Sequence, residues 1–195
     1  MILYDKIKYP HARIFAERVI EIADNLGIDP DWLMLVMYFE SGLNPQAKNR
    51  YSSATGLIQF VEKTAKALGT STEALYNMNA LDQLVYVEKY FQPYKGKMKS
   101  FTDVYLAVFY PSAVGKDDDY VLGGAETDNS YKIANDNPIF DTNKDGQITK
   151  SEVTNYITNW AQRVTRSSVN TVIKKAVNYL PLALLFFFVA YKLTK

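Results

Sequence analysis

Apolar positions along this chain recur at helical spacing, and the strict alternation expected of strands is nearly absent. Residues 11–26 place Ile14, Phe15, Val19, Ile22 and Leu26 on one face, and Gly27 stops the run. Asp29 followed by Pro30 reads as an N-cap with proline in the first turn, opening a very apolar helix that continues to about Phe39. Gly42 and Pro45 end it. Residues 43–60, rich in Asn, Ser, Gly and Ala, read as a loop with a small hairpin in 45–60. Short helices are expected near 61–68 and 71–76, and a firmer one at 80–91. Ser100 caps a helix over 101–110 that Pro111 terminates, and a last soluble helix covers roughly 150–165. Residues 112–140, rich in Gly, Asp and Asn, show no clear pattern. The fold class is mainly α, with no internal repeat.

Composition narrows the chemistry. With 195 residues the chain is long enough for one domain with a substantial core. It has no cysteine, which excludes disulfides, thiolate metal sites and cysteine nucleophiles, and its one histidine, His11, cannot build a multi-histidine metal centre. Bond cleavage, if the protein performs it, falls to carboxylates.

Charge is unevenly spread. All 21 acidic residues lie at or before Glu152, so residues 1–160 hold 16 basic against 21 acidic side chains, a net of −5. An acidic body excludes nucleic acid as the main partner, because phosphate contacts need clustered Lys and Arg. The remainder holds Arg163, Arg166, Lys174, Lys175, Lys192 and Lys195 and no acid. Between Lys175 and Lys192 run sixteen uncharged residues, of which Leu182–Val189 are apolar on every side. As a helix they would reach about 24 Å, and lysine snorkelling at both ends would close the gap to the roughly 30 Å hydrocarbon core. Tyr179 and Tyr191 stand where interfacial anchors stand. The expected organisation is a domain over 1–160, a basic linker helix over 161–175 and a transmembrane anchor over 176–193. The alternative for the apolar run is a buried core helix.

Glu40 closes the apolar helix Trp32–Phe39. Burial and the negative end of the helix dipole both penalise its charged form, which raises the pKa toward the range a general acid needs. The bland alternative is a pairing with Arg50 or a loop cap. The residues around it favour chemistry. Glu40-Ser41-Gly-Leu-Asn-Pro45-Gln-Ala47, then Ala54-Thr-Gly56-Leu57-Ile58-Gln59-Phe60, then Thr64-Ala65 closely resemble the fingerprint of the lysozyme-like lytic transglycosylases. Ile58 stands where that family usually has Met. Leu106-Ala107-Val-Phe109-Tyr110-Pro111-Ser-Ala-Val-Gly115 is similar to the family's Ala-Tyr-Asn-Ala-Gly segment but lacks its Asn and first Gly, so the aligned aromatic is Phe109 or Tyr110 by register. Glu126-Thr127-x-x-x-Tyr131 resembles the family's last element with one extra residue. The resemblance covers roughly 30–131.

The resemblance implies a lysozyme-like, goose-type domain that cleaves the β-1,4 bond between N-acetylmuramic acid and N-acetylglucosamine in peptidoglycan. Glu40 would be the acid and then the base, giving a 1,6-anhydro end without a second carboxylate. Ser41 and Gln59 would hold the sugar or Glu40, and Tyr110 and Tyr131 would line the groove. Each has a plainer reading: Ser41 as a helix-end cap, Gln59 on backbone of the hairpin, the tyrosines as packing.

Asp141-Thr-Asn143-Lys-Asp145-Gly146-Gln147-Ile148-Thr149-Lys-Ser-Glu152 fits an EF-hand calcium loop. Asp141, Asn143, Asp145, Gln147 and Glu152 are the expected ligands of a structural Ca2+, although Pro138 interrupts the expected entering helix. Asp117-Asp118-Asp119 reads as a solvated loop or, in a sharper reading, as the second acid of a hydrolase. The leading expectation is a membrane-anchored peptidoglycan lytic transglycosylase. Its rivals are a lysozyme-type hydrolase and a catalytically inactive calcium-bound structural membrane protein. Four basic residues precede the apolar run and two follow it, which by the positive-inside rule leaves the domain on the cytoplasmic side, away from peptidoglycan. The expected resolution is an enzyme of a bacterial virus, carried in the virion membrane among other virion proteins and opening the wall for the genome. An ordinary cell-envelope location is the alternative.

Overall fold

A computed structural model describes residues 3–170, and the expected anchor over 176–193 lies outside them. Seven helices with complete bounds are α1 (Ala12–Leu26), α2 (Pro30–Ser41), α3 (Glu62–Ala67), α4 (Thr72–Asn77), α5 (Ala80–Phe91), α6 (Phe101–Phe109) and α7 (Asp128–Asp136). A further helix, α8, starts at 150 and runs through 170. Among the described residues no helix is long and apolar enough to cross a membrane.

α2 is the inner helix. Leu33, Met34, Leu35, Val36 and Met37, five consecutive residues, are buried, which an amphipathic helix on a surface would not allow. It packs between α1 and α6, and α1 also packs on α5. Its ends follow the sequence closely: the Asp29 side chain accepts the Asp31 N–H, Pro30 occupies the first turn, and Gly42 closes the helix at φ +63°. α1 turns Phe15, Val19, Ile22 and Leu26 inward and ends at Gly27. Arg18 reaches from α1 to Glu88 of α5 at 2.7 Å, where the Asn25 amide also donates. Ser71, Asn79 and Ser100 each cap the helix that follows by accepting a backbone N–H.

The structure corrects the sequence in two places. The expected hairpin in 45–60 does not form strands. Thr55 makes isolated antiparallel bridges to Lys48 and Phe60, and the left-handed backbone of Gly56 and Gln59 bends the chain too tightly for a ladder. Residues 112–140, unpatterned in sequence, contain α7. This helix escapes notice because it buries only Ser130 and Ala134, but Thr127 and Ser130 form a full capping box at its start. α8 continues past 160 without a break, and Trp160 and Ala161 pack against the body.

Candidate active site

Glu40 lies one residue before the end of α2, half-buried, with no hydrogen bond or ion pair to it among the described residues. The expected alternative of a pairing with Arg50 is not seen. Burial pushes its carboxyl up to about 7. The wall beside it is aromatic. The neighbouring Phe39 ring stands edge-on to Trp160 at 4.8 Å and to Tyr105 at 5.1 Å. Tyr105 continues the cluster to Phe109, Phe140 and, through Phe140, to Tyr156. A carboxyl at the edge of such a wall has few dipoles to replace water, so the neutral acid is the favoured form.

Ser41 is committed to backbone. Its hydroxyl donates toward Met37 O at 2.9 Å and Leu57 O at 3.0 Å, fastening the end of α2 to the loop behind it. Gln59 likewise turns inward, its Nε2 donating to Gly56 O at 3.0 Å and Ala47 O at 3.4 Å. The structure therefore gives both residues the job of shaping the loop beside Glu40. Tyr110 ends α6, half-buried. Tyr131 is placed elsewhere: it is exposed on α7, its ring against Gly146 of the acidic loop. Asp117, Asp118 and Asp119 are exposed on a segment whose backbone pairs with the start of α8.

Three residues that the sequence does not single out pack around Glu40 and the loop beside it. Tyr90 and Tyr105 are the phenols that feel the charge of Glu40; burial first, and then that charge among their neighbours, raises both above the ordinary tyrosine value. Tyr90 donates to Ala107 O at 2.8 Å, bridging α5 to α6. Gln83, fully buried on α5, donates to Pro45 O and Leu75 O at 2.6 and 2.7 Å and accepts the Leu57 N–H at 2.9 Å. It pins the loop from inside. A glutamine on the inner face of a helix is the signal that could have found it.

The acidic loop folds on itself. Asp141 accepts N–H bonds from Asp145 and Gly146, Asn143 from Asp145, and Asp145 from Gln147. Gly146 takes φ +82° and Ile148 is fully buried. The Gln147 side chain accepts the Glu126 N–H. Glu152 and Thr149 form a reciprocal capping box at the start of α8, and Glu152 also accepts from Thr142 and Asn143. Burial works against the Glu152 charge, but these bonds outweigh it and hold the carboxyl below its usual range. No group of three or more His, Cys, Asp or Glu among the described residues is gathered as a metal cluster. Next to the loop, the Lys150 ammonium meets Asp103 at 2.8 Å in a buried ion pair joining α8 to α6.

The family model described as "Transglycosylase SLT domain" matches residues 17–95, from within α1 to just beyond α5, a stretch that holds Glu40, Ser41, Gln59, Gln83 and Tyr90. No curated protein matches the chain. Residues 17–95 are thus similar to the transglycosylase SLT domain, in line with the motifs around Glu40.

Proposed function

We propose that the chain cleaves the N-acetylmuramic acid–N-acetylglucosamine bond with Glu40 as its one catalytic carboxyl. The observation that carries this reading is a half-buried carboxyl with no described partner, raised to about 7 beside an aromatic wall. Neutral Glu40 gives its proton to the glycosidic oxygen as the C1–O bond breaks and positive charge grows on the sugar ring. The acetamido group of the muramic acid stabilises that charge. Glu40, now a base, takes the proton of the same sugar's C6 hydroxyl as that oxygen bonds to C1. The proton count closes, and the product end is 1,6-anhydro-muramic acid. Mass spectrometry of digested peptidoglycan tests this: an anhydro end is one water lighter than the reducing end a hydrolase leaves.

The acidic loop fits a calcium ion by the chemistry of its donors. Asp141, Asn143, Asp145, the Gln147 carbonyl and Glu152 offer hard oxygens in EF-hand register around the left-handed Gly146, with Ile148 as the buried anchor. A bound ion would be structural there, neutralising the carboxylates of the loop. To reach the ion, Glu152 would give up amide partners at the start of α8.

The remaining reading concerns place. The basic residues flanking 176–191 and the apolar run itself support an anchor at the C-terminal side of the domain, and their asymmetry supports a domain made on the cytoplasmic side. Carriage in a virion membrane, with wall opening at the next infection, reconciles that orientation with a peptidoglycan substrate. Protease protection in spheroplasts tests it: digestion of the domain from outside would point to an ordinary envelope enzyme.

A further inference from the structure

A cleft of about 1000 Å³ lies between the N-terminal segment and the loop after α2, lined among others by Lys6, Lys8, Tyr9, His11, Tyr38 and Asn44. A smaller hollow of about 200 Å³ shares Lys6 and Tyr38 with it and extends to Trp160 and Arg163. Tyr38 and Glu40 are two residues apart on α2, so they point about 200° apart around the helix. Tyr38 therefore lines the cleft on a side of α2 turned away from the acid, while Trp160, in the smaller hollow, reaches back to Phe39 of the aromatic wall.

Two features of its lining agree. It is cationic on a body that is acidic: Asp5 is the one acid in either lining and is already paired with Lys6 at 3.4 Å, while Lys8 and Arg163 have no described acid partner. It carries aromatic side chains: Tyr38 lines both hollows and Trp160 the smaller one, their ring centres 6.0 Å apart and 33° from parallel. Cations beside aromatic side chains suit a ligand with sugar rings and negative charge.

We propose that this cleft is a second glycan site, which takes an anionic sugar segment with its rings on Tyr38 and Trp160 and its carboxylates toward Lys8 and Arg163. The assignment rests on peptidoglycan being the substrate, whose muramic acid units carry lactyl carboxylates wherever the peptide is absent. Such a site would hold the strand while the other face of α2 cuts it.

The test is calorimetric titration of the full-length Glu40→Gln chain, which does not consume its ligand. The probe is a tetrasaccharide alternating N-acetylglucosamine with N-acetylmuramic acid and bearing free carboxylates. Binding should weaken at least tenfold when Lys8→Glu and Arg163→Glu, both at exposed positions, are added. It should weaken comparably on the parent when the sugar is methyl-esterified. Binding indifferent to both changes would overturn the site, and so would inorganic phosphate that binds while the tetrasaccharide does not. Turnover of sacculi by the chain with Glu40 intact reads the catalytic assignment separately. Charge-dependent binding without turnover would retire the catalysis and keep the cleft; turnover without charge-dependent binding would retire the cleft.

Discussion

The Oε1 atom of Gln83 accepts the Leu57 N–H at 2.9 Å and lies 2.5 Å from where a Cβ on Gly56 would stand. Gly56 also has φ +82°, a region that only glycine enters freely. The bare backbone at Gly56 lets Gln83 reach the loop, and Gln83 in turn holds Leu57, whose carbonyl receives the Ser41 hydroxyl next to Glu40. Gly56→Ala adds steric overlap to backbone strain and should cost about 2–4 kcal/mol in urea unfolding. A variant as stable as the parent would show that Gln83 can withdraw freely.

Glu40 gives stability a distinctive pH dependence. Its carboxyl is raised to about 7, so the folded chain keeps a proton that the unfolded chain releases near the ordinary value of about 4.3. Its contribution is therefore present at low pH and is lost as pH rises toward 7. The upper bound is roughly 4 kcal/mol, less for a carboxyl that still touches water. Glu40→Gln should match the parent near pH 4 and exceed it near pH 8 in paired urea melts. Parallel curves at both pH values would contradict a raised carboxyl.

Lys150 and Asp103 form the buried link between the acidic loop and the core. Burial opposes the Asp103 charge, but the Lys150 ammonium and the Gly115 and Lys99 amides hold its carboxyl below the usual range. Lys150→Met strands that charge and should cost about 3–5 kcal/mol. The double variant Asp103→Leu/Lys150→Met should recover part of the loss. A thermal melt in which the single variant equals the parent would remove the pair from the account.

Calcium should raise the melting temperature of the chain and chelator should lower it, because an ion bound only by the folded state stabilises it by mass action. Asp141→Ala and Glu152→Gln should each erase the difference. Phe140, adjacent to Asp141, touches Tyr105, so the ion should also affect turnover. A melt indifferent to calcium and to chelator would refute the ion.

The helices were legible wherever a cap and a buried stripe coincide. Asp29-Pro30 to Gly42, Ser100 to Pro111 and Asn79 to Phe91 all fall within a residue or two of expectation. α7 was not, since a helix that buries two small residues leaves no apolar stripe to read. Glu40 was legible as a carboxyl ending an apolar helix. Its neighbours were less so, because proximity across α5, α6 and α8 is a property of packing. Tyr90 and Tyr105 look like any of the 15 tyrosines in the sequence, while Tyr131 fits a motif yet lies against Gly146. Ser41 and Gln59 make the backbone bonds that one of their two readings expects.

The most direct measurement is turnover of purified sacculi by the chain and by Glu40→Gln across pH 5–9. The parent should release anhydro-ended fragments, with a rate that falls as pH rises past about 7 and Glu40 loses the proton it must donate. Glu40→Gln should be slower by about two to four orders of magnitude while remaining folded. A folded Glu40→Gln variant that turns over sacculi at the parent's rate would contradict the account at its centre.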